Sequence, residues 1–282
     1  MFGTVIWDVF GRDEAEEVRA AIEDLASPTD GIGWSSSGVY AFYDPTSQRD
    51  ASSSHPLRYL GLATDLATRF AQHNGIIPVK DGSSKFSDID AWFRTHPLLG
   101  YSAFVQSPLH QANISRVKKT FGSTIVDWSS EFDYDVDARR SIALLEGQLI
   151  ETSVLDRGEL PSWNKIGGSV AGKSLAPSGT GSALISLLEG SHDNLFVARR
   201  SIRELSTDSS AYFDESDTLH VARMQALMFA GPSGATDSDI VAQLSRLAEP
   251  GHVWSDAVGS KRTVSIRDDG YLESTTRVVH PL

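Results

Sequence analysis

Apolar and polar positions along the first half of the chain set out short strands and amphipathic helices in mixed order. TVIWDVF (4–10) reads as an apolar strand, and DEAEEVRAAIEDLA (13–26) as a helix with acids in its first turn, where the positive end of the helix dipole favours them. SGVYAFYD (37–44) predicts the next strand, and the polar, Ser-rich stretch after it a loop. LRYLGLA (57–63) predicts a further strand, and a helix opens at Thr64 or Asp65 and runs through ATRFAQHN (67–74). Strand, long loop, strand and helix together predict an α+β fold.

Further on, SDIDAWFRTH (87–96) predicts a helix capped by Ser87, GYSAFVQ (100–106) a strand, HQANISRVKKTF (110–121) a helix and STIVDWSSEF (123–132) a strand. ARRSIALLEGQLIETS (138–153) has the pattern of a well-formed helix. SVAGKSLAPSGTGS (169–182) has linker composition and is placed as a domain boundary. Beyond it, helices are predicted at 183–190, 193–205, 216–229 and 236–248, and two alternating runs around Asp268-Asp269-Gly270 predict a β-hairpin. Helices followed by a hairpin suggest a winged-helix-like module. The expected organisation is an N-terminal strand and helix (1–33), a central domain (34–168) with an insertion at about 75–122, a linker (169–182) and a mainly helical C-terminal domain (183–282).

Composition narrows the chemistry. With 282 residues, 40% of them hydrophobic and 22% charged, the chain can bury a core. It contains no cysteine, which excludes disulfides, thiol catalysis and Cys-based zinc sites. The N-terminus turns acidic too early for a signal peptide and no run is long enough to span a bilayer, so the expectation is a soluble, cytoplasmic protein. With 25 Lys+Arg against 37 Asp+Glu, the net charge of −12 speaks at first against a nucleic-acid partner.

Several polar residues fall where polarity needs a reason. Alternation puts Tyr40 and Phe42 on one face of their strand, and Tyr59 and Gly61 on one face of theirs. If the strands pair, two phenols share a side of the sheet with a backbone gap at Gly61; each tyrosine can equally be an ordinary half-buried strand residue. Arg69 and His73, four apart, lie one above the other on a helix whose Leu66 and Phe70 face the sheet. They can reach that sheet, or Arg69 can lay its stem over the core and His73 bond locally. Glu146 falls within the apolar stripe of Ile142, Leu145 and Leu149, whereas Glu151 falls opposite. A carboxylate on a buried face calls for a partner, either a metal or an arginine such as Arg69. Asp133, Asp135 and Asp137 lack calcium-loop spacing and read as acids at a helix start. The other histidines, His55, His96, His110, His220, His252 and His280, form no ligand spacing.

Taken in order, Gly38-Val39-Tyr40, Tyr59-Leu60-Gly61, then Leu66, Arg69 and His73, then Glu146, then Asn164 after Trp163, this set resembles the GIY-YIG nuclease family over about residues 34–168. The resemblance implies a small mixed sheet flanked by helices, cutting DNA phosphodiester bonds with one divalent metal, Mg²⁺ or Mn²⁺. It implies Tyr40, Tyr59, Arg69, His73, Glu146 and Asn164 as site residues and Glu146 as the metal ligand. Arg69 would hold the scissile phosphate. Tyr40 or Tyr59, Tyr40 by preference, would take the proton of the attacking water, with His73 orienting or relaying it. Asn164 would fix a tyrosine or the nearby backbone.

Three features depart from the family pattern. The loop between Tyr40 and Tyr59 is long. Leu62 stands where many members carry a lysine or a small polar residue, and the wide span from Arg69 to Glu146 implies an inserted subdomain. Arg116, Lys118 and Lys119, and Arg199, Arg200 and Arg203, form basic clusters that are either phosphate tracks or solvated helix faces. The implied activity is a DNA endonuclease in restriction, phage defence or a mobile element, working as a homodimer or with a partner protein to cut both strands. The alternative is a catalytically reduced fold serving as an acidic protein-interaction module. Under the nuclease reading, a local cationic notch and a metal hold one phosphate despite the acidic whole, so the charge predicts selectivity.

Overall fold

A computed structural model of the chain describes residues 3–26, 37–47, 55–79, 84–106, 134–178, 180–190, 197–198 and 200–207. Its elements are β1 (Gly3–Phe10), a 3₁₀ turn (Arg12–Glu14), α1 (Ala15–Ala26), β2 (Gly38–Tyr43), β3 (Leu57–Ala63), α2 (Leu66–His73), α3 (Phe86–Phe93) and β4 (Leu99–Gln106). These are followed by α4 (Tyr134–Arg157), α5 (Val170–Lys173), a second 3₁₀ turn (Ala176–Ser178), α6 (Thr180–Leu188) and α7 (Ile202–Thr207). The fold is α+β. The strands form one sheet in the order β1-β4-β2-β3, and all three pairings are antiparallel, where a mixed sheet was expected.

That order corrects the expected division of the chain. β1, assigned to a separate N-terminal piece, pairs along its whole length with β4. β4, placed in the insertion, lies between β1 and β2 at the centre of the sheet. It is buried on both faces: Leu99, Tyr101, Ala103 and Val105, each at most 2% exposed, share one face, and Ser102 on the other is also fully buried. The remainder of that insertion, with its basic cluster and the helix and strand expected at 110–132, lies outside the described residues.

Pairing fixes which side chains share a face. Tyr40 sits opposite Gly61 and Ala103, and Phe42 opposite Tyr59 and Tyr101. This face is an aromatic layer: Phe42 meets Tyr101 at 5.4 Å with the rings tilted, and Phe70 of α2 meets Tyr101 at 4.9 Å and Phe10 at 5.2 Å between ring centroids. Asp65 caps α2, its carboxylate accepting from the Thr68 amide at 2.9 Å. Leu66 and Phe70 are buried against the sheet and Thr68 is exposed, as the helical period requires. The opposite face carries Ser102, whose hydroxyl donates to the Leu188 carbonyl of α6 at 2.5 Å.

α4 is longer than expected, starting at Tyr134, so Asp135 and Asp137 fall in its first turn. α3 begins at Phe86 with Lys85 as its N-cap residue, not at Ser87; the Ser84 hydroxyl accepts from the Phe86 amide instead. The stretch read as a linker is packed structure. A Cβ on Gly172 would lie 2.3 Å from the Leu144 carbonyl oxygen, and one on Gly168 would lie 2.5 Å from the Gly147 Cα. These glycines supply close backbone approach to α4, which is a different use of the same composition that predicted flexibility.

The chain divides into two units, the first covering Met1–Ser191 with Ser201–Thr207. Of the second, His192–Arg200 and Asp208–Pro281, only residues 197, 198 and 200 are described, so the C-terminal helices and hairpin lie outside the described residues. The helix expected at 193–205 is non-helical at 197, 198 and 200. α7 starts at Ile202 behind a capping box in which the Ser201 amide donates to Glu204 Oε2 at 2.8 Å.

Candidate functional site

Four of the six sequence-designated residues form one hydrogen-bonded cluster on the aromatic face of the sheet. Tyr40 Oη lies 2.6 Å from His73 Nε2, and Arg69 Nε donates to the same oxygen at 3.3 Å. Tyr40 and Tyr59 have ring centroids 5.8 Å apart, and both hydroxyls hang over Gly61. A Cβ there would stand 2.8 Å from Tyr40 Oη and 2.9 Å from Tyr59 Oη. The glycine of the second tripeptide is thus required by the phenols themselves.

Proton positions follow from one backbone contact. The Lys85 amide donates to His73 Nδ1 at 2.8 Å. An amide cannot accept, so Nδ1 is unprotonated and the proton of the neutral imidazole sits on Nε2. Nε2–H therefore donates to Tyr40 Oη. Burial, followed by the charges of Arg69 and Lys85, lowers the His73 pKa to about 3, so the ring stays neutral. With its oxygen already accepting from His73 and Arg69, Tyr40 turns its own O–H to Tyr59, which also accepts from Arg69.

The two phenols consequently differ. Tyr40 is 1% exposed and burial holds its pKa well above the ordinary phenol value. Tyr59 is half-buried; burial raises its pKa too, opposed by the bond from Tyr40 and the Arg69 charge. Tyr59 is the outer member of the pair and Tyr40 its inner support.

Glu146 and Asn164 join the site along the free edge of β3. An edge strand leaves alternate N–H and C=O groups unpaired by its own sheet, and here residues 58, 60 and 62 present them. The Trp163 amide donates to the Arg58 carbonyl at 2.8 Å. Asn164 Oδ1 accepts from the Leu60 amide at 2.9 Å, and its Nδ2 donates to the Leu60 carbonyl at 2.8 Å. The Leu62 amide donates to the Glu146 carboxylate. Asn164 thus fixes backbone, not a tyrosine. Burial raises the pKa of half-buried Glu146, opposed by the Leu62 bond and by Arg69. Glu151 lies off this site and approaches Lys173 Nζ at 3.9 Å.

Among the described residues no group of three or more His, Asp or Glu side chains gathers as a metal cluster. A single half-buried carboxylate matches the donor set that Mg²⁺ accepts, since that ion keeps much of its water, and does not match a zinc site.

Sequence reasoning missed Lys85. Its ammonium lies 5.0 Å from the Tyr59 ring centroid, donates to the Trp163 carbonyl at 2.5 Å and sits 3.8 Å from Asp88. A lone lysine in a Ser-rich loop carries no periodic signal that could have marked it. The reading of Arg203 is corrected: it is neither a phosphate contact nor a solvated side chain. Its guanidinium bonds Asp8 at 3.0 Å and Glu14 at 3.0 Å, with Glu17 at 3.6 Å. Arg199 lies outside the described residues.

No helix among the described residues is long and apolar enough to cross a membrane. Compared with known proteins, the chain matches no family model, no curated protein and no solved structure.

Proposed function

We propose that the chain is a divalent-metal-dependent endonuclease that hydrolyses DNA phosphodiester bonds at this cluster. The observation that carries the reading is the convergence of Tyr40 Oη and Tyr59 Oη over Gly61, both bonded by Arg69, with Glu146 anchored to the same strand three residues beyond Tyr59. Ordinary packing has no need for a phenol pair, a guanidinium and a half-buried carboxylate within one notch.

Tyr59, not Tyr40, takes the proton of the attacking water, because Tyr59 is the half-buried member of the pair and Tyr40 is enclosed. Hydrogen bonds from Tyr40 and Arg69 stabilise the Tyr59 phenolate that this step requires. Tyr40 remains a donor throughout, held by His73 Nε2–H; His73 holds the pair in register and does not relay the proton, because its second nitrogen is occupied by the Lys85 amide. The guanidinium of Arg69 has the planar fork suited to a phosphoryl oxygen. Glu146 would hold the cation, which when bound would supply positive charge to the reacting phosphodiester. Burial favours the protonated form of both phenols, so ionisation of Tyr59 leans on the hydrogen bonds from Tyr40 and Arg69 that oppose it.

The test is nicking of supercoiled plasmid by the wild type and by Glu146→Ala, with and without Mg²⁺. Nicking by the wild type that needs Mg²⁺ and disappears in the variant supports the reading. Equal nicking by both proteins removes the metal assignment, and no nicking of any DNA form by the wild type removes the nuclease.

A further inference from the structure

A cation reaches this site from the loop that follows α2. Ser84 ties this loop down, its hydroxyl donating to the Gln72 carbonyl at 2.8 Å. The next residue then faces the site twice. Its amide donates to His73 Nδ1 at 2.8 Å, and its ammonium stands over the Tyr59 ring at 5.0 Å from the centroid.

Lys85 is not an ordinary surface lysine laid along apolar surface. Its side chain is 10% exposed. Its anionic neighbour, Asp88, is 3.8 Å away and about a third exposed, while the Trp163 carbonyl takes the close bond at 2.5 Å. Burying an ammonium with incomplete neutralisation is costly, and burial does lower its pKa, opposed by Asp88 and reinforced by the charges of Lys165 and Arg69. The cost has a compensation if negative charge develops on the ring that the ammonium overlies.

We propose that Lys85 is a positioning residue for this site, its amide fixing the His73 tautomer while its ammonium stabilises the phenolate of Tyr59. The inference rests on the nuclease reading for its purpose, but the coupling between Lys85 and Tyr59 is testable without substrate. The charged and titratable groups facing Tyr59 are Tyr40 from β2, Arg69 and His73 from α2, Lys85 ahead of α3, and Glu146 from α4. All except Lys85 are retained in the variants below.

The experiment places 3,5-difluorotyrosine at position 59 of the full chain, so that the phenol ionises in a range the fold tolerates, and follows it by ¹⁹F NMR in the wild type, Lys85→Met and Lys85→Arg. A cation at this range favours the ionised form by about one pKa unit, so Lys85→Met should weaken the ionisation about tenfold while Lys85→Arg restores most of it. Since the amide survives in both variants, the His73 ring ¹⁵N shifts should keep the Nε2–H tautomer. In plasmid nicking, Lys85→Met should move the rising limb of the pH profile to higher pH by the same amount. An unchanged Tyr59 midpoint in Lys85→Met overturns the proposal, as does a midpoint in Lys85→Arg that matches Lys85→Met. If the midpoint moves as stated while the wild type cuts no DNA, the coupling stands and the nuclease reading fails.

Discussion

Two carboxylates of this unit, Asp8 buried and Glu146 half-buried, have different partners. Asp8 on β1 is 2% exposed, and both its oxygens are taken up by Arg203, through the backbone amide at 3.0 Å and the guanidinium at 3.0–3.3 Å. The same guanidinium reaches Glu14 and the Val9 carbonyl. Glu146 on α4 draws on one backbone amide and on the field of Arg69, and keeps partial access to solvent. Burial raises both pKa values. The difference is closure: the first carboxylate belongs to a completed network that fastens α7 to the sheet, and the second is held in place yet left able to take another ligand. A buried charge whose partners are complete is architecture, and one left partly open points to chemistry.

The sharpest way to break that contrast is to remove each group and read both stability and cleavage. Glu146→Ala should reduce Mg²⁺-dependent nicking by roughly 10³-fold. Its unfolding midpoint in urea should stay close to the wild type, because a carboxylate that burial disfavours contributes little to the fold. Arg203→Met should do the reverse. It leaves Asp8 buried without its cation, and should cost about 3 kcal/mol in urea unfolding while the folded fraction still nicks DNA. Cleavage lost in Arg203→Met at full folding, or stability lost in Glu146→Ala, would erase the distinction.

Asn164 tests whether the edge of β3 is scaffold or site. Asn164→Ala removes two hydrogen bonds to Leu60, at about 2 kcal/mol together. Because the same edge holds Glu146 through Leu62, nicking should fall by more than the unfolded fraction accounts for. A fall equal to that fraction would make Asn164 scaffold alone.

The parts of this arrangement that could be read from sequence are those set by local pattern. The apolar runs gave β1, β2 and β3, the period of α2 put Leu66 and Phe70 inside, and its start was read as Thr64 or Asp65, of which Asp65 is the cap. Alternation placed Tyr40 and Tyr59 to meet if the strands paired, which they do. What sequence could not show is what depends on closure of the sheet. β4 looks like part of an insertion until it is seen paired on both edges. Arg203 looks like one of three arginines on a helix until α7 brings it to Asp8, far behind it in the chain. Lys85 was missed for the same reason, since its meaning comes from Tyr59 and His73 on other elements. The stretch at 169–182 misled in the other direction. Its composition suggests a linker, but Gly172, like Gly168 just before it, has no Cβ and so packs directly on α4 at Gly147.

His73 offers a finer comparison, between a titratable group held neutral and the same position without one. Its folded pKa, about 3, is below the ordinary value of 6.5 for the unfolded chain. Between those values the unfolded chain binds a proton that the folded chain refuses, so the contribution of His73 is complete above pH 6.5 and is lost as pH falls towards 3. Each unit below 6.5 should cost the wild type up to about 1.4 kcal/mol relative to His73→Gln, read as the difference in their urea midpoints at pH 7 and pH 5. Parallel pH dependence in the two proteins would mean that the ring accepts a proton in place, which the Lys85 amide at Nδ1 forbids.

The smallest expected effect is the control that gives the others meaning. Glu151 lies on α4 five residues beyond Glu146 and is partly exposed, with Lys173 at 3.9 Å. An exposed pair of that length contributes at most a few tenths of a kcal/mol. Glu151→Gln should therefore leave the urea midpoint within about 0.5 kcal/mol of the wild type and the nicking rate unchanged. Both substitutions remove one negative charge from the same helix, so a long-range effect of net charge on DNA binding would appear in Glu151→Gln as in Glu146→Gln. If only Glu146→Gln loses cleavage, position and not charge count is what matters, and the acidic balance of the whole chain ceases to be an argument about the site. If Glu151→Gln raises nicking, and raises it most at low salt, repulsion between the −12 chain and the phosphate backbone is limiting the reaction.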